Sequence, residues 1–287
     1  MMADAMVDDR LLSLIGGQAM LRRAVALSGG CIAPVMRLEL VDGRRLVAKR
    51  SAHARIEARM LRDLAAAGAP VPMVTAQEGE WLVMTDLGGR PGLADAQAAR
   101  AAGRALAGLH AHTGPHYGYP VDVVIGPLPQ DNTPCDDWLR FYGRHRLMAM
   151  AEEALQAGRL SARETARVAR LAARLAEWLP GAPPPALLHG DFWHGNILSV
   201  PGRLCGFIDP AISWGDPNVD LAMLDLFGAL DEAFLTGYRE VAGKTPAIVS
   251  DPALMALYQL WPLLVHVRLF GGSYLAQTRR ILEGFGV

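Results

Sequence analysis

Between residues 187 and 210 the chain reads LLHGDFWHGNILSVPGRLCGFIDP. The preceding run GAPPPA, at 181–186, cannot be helix interior and delivers the chain stiffly into a strand at LLH. ILSV and LCGFID, parted by Pro201 and Gly202, then form a hairpin. Asp191 is therefore expected in the loop between strands and Asp209 at a strand end. Two chemistries suit such a stretch. One is a phosphate-transfer site holding magnesium, and the other is a metallohydrolase cluster of His189, Asp191, His194 and Asp209.

The front of the chain helps to choose. Residues 36–49, MRLELVDGRRLVAK, alternate apolar and polar residues on both sides of an Asp-Gly turn, the pattern of a hairpin that sets Lys49 on its second strand. The following ARIEARMLRDLAAAG places Ile56, Met60, Leu61 and Leu64 on one helical stripe and stops at Gly68 and Pro70. Glu57 lies on that helix. After the short strand in EWLVMTDLGG the composition turns to long helices, which predicts two lobes with a boundary near residues 85–92, taken as 1–88 and 89–287. In the second lobe 94–111, 136–157 and 161–179 show helical periodicity, the last opening with Ser161 and Glu164 in capping-box spacing. Helices resume from about 219, and the apolar 254–270, interrupted by Pro262, His266 and Arg268, reads as a buried kinked helix shorter than a bilayer span.

Phosphoryl transfer asks a protein to neutralise phosphate charge, hold magnesium and orient a hydroxyl in line. The spacing H-x-D-x-x-x-x-N of kinase catalytic loops supplies an Asp that accepts the hydroxyl proton and an Asn on metal, and a later strand-end Asp chelates magnesium. His189, Asp191, Asn196 and Asp209 match in order and spacing, in a chain with only three asparagines. A polar turn braced by Asx hydrogen bonds is the bland alternative. The hydrolase reading leaves Asn196 without a task and ignores Lys49. Lys49 with Glu57 reproduces the ion pair in which an ammonium holds the α and β phosphates of ATP; alone, such a lysine is ordinarily a solvated surface residue.

The turn that covers the phosphates should be glycine-rich, and ALSGGCIAP offers Gly29 and Gly30. Cys31 beside them raises a redox-switch reading against that of a small buried residue. His110 and His266 are expected to be hydrogen-bonded core histidines, and Asp220 to cap or anchor its own helix. Trp193 and Trp214 flank the site closely enough to stack on a substrate or to serve as core.

Composition excludes other classes. With 28 basic against 29 acidic groups, neither nucleic acid nor an anionic membrane is favoured as a partner. Three scattered cysteines without a CxxC pair suggest neither a disulfide framework nor a zinc site, and a cytoplasmic location is expected, as a monomer or weak homodimer.

The chain resembles the fructosamine (ketosamine) kinases, relatives of aminoglycoside and choline kinases within the protein-kinase-like fold. The likeness runs over most of its length through DGRRLVAK, LAGLH, YGYPVDVVIGPLPQDNTPCDDWLRFYGRHRL, HGDFWHGN, IDPAISWGDPNVDLAMLDLFG and LYQLWPLLVHVRLFGGSYL. The GDP at 215–217 looks more like the wider aminoglycoside-kinase superfamily. The resemblance implies an α+β two-lobed fold, with a small antiparallel-sheet lobe carrying one main helix and a larger, mostly helical lobe. It also implies ATP- and Mg2+-dependent phosphorylation of a ketoamine sugar, free or protein-bound, in deglycation. Asp191 would then be the base, Asn196 and Asp209 would sit on metal, and Lys49 on phosphate. Polycationic antibiotics call for several acceptor-lobe carboxylates, and from 251 to 287 only Asp251 and Glu283 are acidic, which argues against an aminoglycoside. An amino-alcohol such as choline, or a nucleotide-binding pseudokinase, are the remaining alternatives.

Overall fold

A computed structural model describes residues 7–27 and 34–287. The first lobe is a five-stranded antiparallel sheet, order β1-β2-β3-β5-β4, formed by β1 (Leu21–Ala26), β2 (Val35–Leu40), β3 (Arg45–Arg50), β4 (Val74–Glu78) and β5 (Trp81–Thr85). Alternation along β3 decides what each face does. Leu46 and Ala48 bury with Met36, Leu38, Trp81 and Val83 under α1 (Asp9–Ile15). Val47 and Lys49 turn the other way, toward α2 (Ala54–Ala66). On α2 the expected stripe buries Met60, Leu61 and Leu64, joined by Ala54 and Ala58, while Ile56 stays half-buried.

The connection from β5 to the helical part of the chain contains β6 (Arg90–Pro91). The second lobe begins with α3 (Ala96–His110). A hairpin not foreseen from the pattern, β7 (Val123–Ile125) and β8 (Leu128–Gln130), precedes the helical stretch 136–157. That stretch is interrupted: α4 (Trp138–Phe141) runs into a π-helical segment, Tyr142–Met148, and then α5 (Ala149–Gln156). The capping box of Ser161 and Glu164 forms and opens α6 (Ala162–Ala172). The helix stops at Ala172, short of the expected 179, and a 3₁₀ turn at Leu175–Glu177 continues the apolar pattern without an α-helix.

The strand-loop-strand region assembles as read. β9 (Ala186–Leu188) precedes the loop, β10 (Ile197–Val200) and β11 (Arg203–Phe207) pair antiparallel, and β12 (Ser213–Gly215) returns to pair with β9. The Phe207 N–H donates to Pro70 O at 2.7 Å, tying β11 to the end of α2 and so to the first lobe. Four helices follow, α7 (Asn218–Leu226), α8 (Glu232–Ala242), α9 (Pro252–Phe270) and α10 (Ser273–Gly284). Helices α3 and α8 approach backbone to backbone, because a Cβ on Gly103 would collide with Phe234 O and one on Gly237 with Arg100 O.

At 19 residues α9 is long and apolar enough to cross a bilayer, beyond the sequence expectation, but Leu257, Tyr258, Leu260, Leu264 and Val267 bury it in the second-lobe core. Pro262 has no N–H for Tyr258 O, four residues back. The Tyr142 hydroxyl donates to that carbonyl at 3.2 Å, and to Leu257 O at 3.1 Å.

Candidate active site

The strand alternation that buries Ala48 delivers the Lys49 ammonium to two carboxylates. Nζ lies 2.7 Å from Glu57 Oε2 and 3.0 Å from Asp209 Oδ1, a residue 160 positions away in the other lobe. Burial works to lower the Lys49 pKa, yet Asp209 and Glu57 outweigh it and push the ammonium up to about 12. Glu57 is steadied in turn by the Ser51 hydroxyl, which donates to Oε1 at 2.6 Å.

On the second-lobe side the loop after β9 carries Asp191. The Asn196 amide donates through Nδ2 to Asp191 Oδ2 and Asp191 O, both at 2.9 Å. Burial is the largest influence on the Asp191 carboxyl; with Asp209 and Asp220 it prevails over the Asn196 hydrogen bond and the Lys49 charge, pushing the pKa up to about 7. Since Nδ2 faces these acceptors, Asn196 Oδ1 points elsewhere, and among the described residues no donor takes it. Asp209 is half-exposed and is the one non-glycine residue with positive φ, +51°, among those described.

The hydrolase cluster does not assemble. His189 is fully buried; its Nε2–H donates to Ile208 O at 3.1 Å and its Nδ1 accepts the Asp191 N–H at 3.4 Å, so no ring lone pair remains for a metal. Burial lowers its pKa and keeps it neutral. Among the described residues no three His, Cys, Asp or Glu side chains gather to hold an ion. His194 instead packs its ring against Trp193 and Phe227.

Of the two roles expected for Asp220, it does not cap its own helix but anchors it, to the loop before Asp191. Its carboxylate, with no exposed surface, accepts the His189 N–H at 2.8 Å and the Gly190 N–H at 2.9 Å. A carboxylate oxygen can only accept, so His110 Nε2 carries the proton of the 3.1 Å contact to Asp220, and the Tyr238 hydroxyl donates to His110 Nδ1 at 2.9 Å. His110 is thus the core histidine expected, but one that braces the loop through Asp220. Gly190, at φ +82°, admits no side chain, because a Cβ would strike Ala211 O.

Sequence reasoning also passed over Asp216. It is buried, accepts the Asn218 N–H at 2.9 Å at the start of α7 and takes the Tyr258 hydroxyl at 2.6 Å; Tyr258 in turn accepts from Trp138 Nε1 at 3.1 Å. An Asp two residues ahead of a helical Asn was a readable capping signal. The tie to Tyr258 was not.

Trp193 starts a row of rings that continues through Phe227 (5.4 Å), His266 (5.1 Å) and Tyr274 (4.8 Å), with Phe270 at its exposed end. His266 Nδ1–H donates to Pro262 O at 2.8 Å, as a core histidine should, but the ring is only partly buried. Trp214 stands apart from this row, its ring over Gly114 and its backbone paired with Gly118. Gly29, Gly30 and Cys31 lie outside the described residues.

The site therefore offers a carboxylate whose pKa is pushed up toward neutrality, two oxygen functions suited to a small hard cation, and an ammonium fixed between two carboxylates. The sequence profile of the "Fructosamine kinase" family matches residues 6–285. A "Probable ketoamine kinase" of Enterococcus faecium is 34% identical over 209 residues, 72% of this chain and 73% of that one. One of Escherichia coli K12 is 35% identical over 204 residues, 71% and 68% respectively. A candidate fructosamine-3-kinase from Thermobifida fusca, solved as a crystal structure, superposes with a TM-score of 0.85 at 32% identity, over 97% of each chain. An aminoglycoside phosphotransferase solved with ADP and hygromycin B superposes with a TM-score of 0.67 at 17% identity, over 96% of this chain and 98% of that one, and shares the fold. From the second-lobe loop to the ion pair of the first, the chain belongs to the fructosamine kinase family and is a small-molecule kinase of the protein-kinase-like fold.

Proposed function

We propose that the protein transfers the terminal phosphoryl group of ATP to a hydroxyl of a ketosamine, a fructose- or ribulose-modified amine, in a magnesium-dependent reaction. The observation that carries this reading is the 3.0 Å contact between Lys49 and Asp209, which brings the phosphate-holding lysine of one lobe to the metal-side carboxylate of the other. In the reaction Lys49, held by Glu57, receives the α and β phosphates. Asp191 accepts the proton of the attacking hydroxyl, and its near-neutral pKa suits that task. Asn196 Oδ1 and Asp209 would hold Mg2+, which when bound neutralises phosphate charge. Trp193, Phe227 and His266 offer ring faces, and among the described residues nothing pairs with His266 Nε2, in keeping with a sugar carrying an amine on that side.

The ketoamine kinase names of the relatives support the acceptor class, and the ADP bound by the aminoglycoside phosphotransferase of the same fold supports the donor. The contacts of Lys49 with Glu57 and Asp209, and of Asn196 with Asp191, support a catalytic reading over a non-catalytic nucleotide binder. A screen of ATP consumption over ketosamines, aminoglycosides and amino-alcohols, with Mg2+ and with a chelator, tests the reading. Turnover with a ketosamine only when Mg2+ is present is expected. Turnover confined to an aminoglycoside or to choline would replace the acceptor, and hydrolysis of a phosphomonoester without ATP would replace the chemistry.

A further inference from the structure

The β7–β8 hairpin has no part in the steps above, yet its last residue reaches the metal side of the site. Gln130 is 4% exposed, and its Nε2 donates to Ala211 O at 3.0 Å. Two residues on, Asn132 has no exposed surface and donates through Nδ2 to Ile212 O at 3.2 Å. Ala211 and Ile212 are the second and third residues after Asp209. From the other side, the Ala211 N–H donates to His189 O at 2.8 Å, and its carbonyl lies against Gly190. The segment that follows Asp209 is thus clamped between the Asp191 loop and the hairpin.

The hairpin end is itself held. Buried Arg146 donates from Nη2 to Asn132 Oδ1 and from Nη1 to Asp131 O, each at 2.6 Å, with its guanidinium over the rings of Phe141 and Trp261. The Asn132 N–H donates to Asp122 Oδ1 at 2.8 Å. Gln130 is the exception to this completeness, since among the described residues no donor reaches its Oε1. A buried amide with one half unpartnered returns little net stability, because the lost hydration of the idle oxygen offsets the single bond. An apolar side chain of similar volume would pack as well. What glutamine does here that methionine could not is grip the Ala211 carbonyl.

Asp209 needs such a grip. It holds a left-handed conformation uncommon for a non-glycine residue, which persists only where the surroundings over-determine it. We propose that Gln130, braced by Asn132 and Arg146, is a positioning residue that fixes the segment from Pro210 to Ile212, keeps the Asp209 carboxylate turned toward Lys49, and thereby sets how much Mg2+ tightens nucleotide binding. This rests on Asp209 acting as a metal ligand, as in the proposed function.

Calorimetric titration of ADP into the whole protein, with Mg2+ and with a chelator, tests it without turnover. Wild type is expected to bind ADP more tightly with Mg2+. Gln130→Met should keep the metal-free affinity, which depends on Lys49, and lose roughly 2- to 13-fold of the Mg2+-dependent gain, the range spanned by one buried hydrogen bond. Gln130→Leu, which likewise removes the donor and keeps an apolar side chain of similar size, should lose as much and carries the test if the methionine variant does not fold. An unchanged gain in the variants overturns the positioning role alone. Equal losses with and without Mg2+ overturn it too, in favour of a purely structural role. A wild type in which Mg2+ brings no gain overturns the metal-ligand reading of Asp209, and the positioning role with it.

Discussion

Replacing Asp220 by asparagine should separate loop support from nucleotide holding. The carboxylate serves three buried donors: Oδ2 takes the His189 N–H at 2.8 Å and His110 Nε2–H at 3.1 Å, and Oδ1 takes the Gly190 N–H at 2.9 Å. An asparagine can keep its oxygen where two donors converge, but its NH2 then faces the Gly190 N–H. One buried donor is stranded, at about 1–3 kcal/mol, and the two remaining bonds lose their charge assistance, about 1 kcal/mol more. The sum, about 2–4 kcal/mol, is a large part of an ordinary stability of about 5–15 kcal/mol. For a chain of this size it corresponds to a fall in Tm of roughly 5–15 °C. Scanning calorimetry reads that fall. Below the transition, kcat for phosphate transfer should drop at least about tenfold, since small displacements of a catalytic group are costly. The KM for nucleotide should change little, because Lys49 and Glu57 are untouched. Wild-type Tm and kcat in Asp220→Asn would refute the reasoning entirely, and a lowered Tm with wild-type kcat would refute its positioning half.

Three further outcomes follow from the same geometry. Gly190→Ala combines an unfavourable φ of +82° with a collision against Ala211 O, so it should lower stability by more than about 2 kcal/mol and abolish transfer; a denaturant melt checks it. The Asp191 carboxyl titrates near 7 when folded against 3.8 ordinarily. A raised folded pKa gives stability that is full below pH 3.8 and lost as pH rises through about 7. Asp191→Asn should therefore melt above wild type at pH 8, with the gap closing as pH falls from 7 toward 4, and wild-type kcat/KM should climb through neutrality as the base ionises. Glu57→Gln should raise the KM for nucleotide about tenfold or more by freeing the Lys49 ammonium to pair with Asp209 alone, while Ser51→Ala, which removes only the prop at 2.6 Å, should have a smaller effect in the same assay.

Local pattern carried Lys49 to its place. Strand alternation with the Asp-Gly turn put it on one sheet face, and helical periodicity put Glu57 in the first turn of α2 facing it. The five-residue spacing between Asp191 and Asn196 was equally local, being spanned by hydrogen bonds within one loop. What escaped were groups whose partners are remote. Asp220 meets His110 across 110 positions and Asp216 meets Tyr258 across 42, and no periodicity encodes such pairings. For the same reason Gln130 drew no reading of its own, because its acceptor lies 81 residues on. The end of α6 at Ala172 was hidden differently: Leu175 stays on the apolar stripe and is buried, while the chain leaves the α-helix for a 3₁₀ turn. Trp193 and Trp214 were indistinguishable in sequence, and only the row through Phe227 and His266 sets the first apart.

The account turns on Asp191 receiving the proton of an acceptor hydroxyl while Lys49 and Asp209 hold the donor. Its most direct test is transfer of labelled γ-phosphate from ATP to a synthetic fructosamine by wild type and by Asp191→Asn, at pH 7.5 with Mg2+. The account predicts a phosphorylated ketosamine from wild type and a loss of at least about 100-fold in the folded variant, with ADP affinity retained. Equal transfer by both proteins would contradict it.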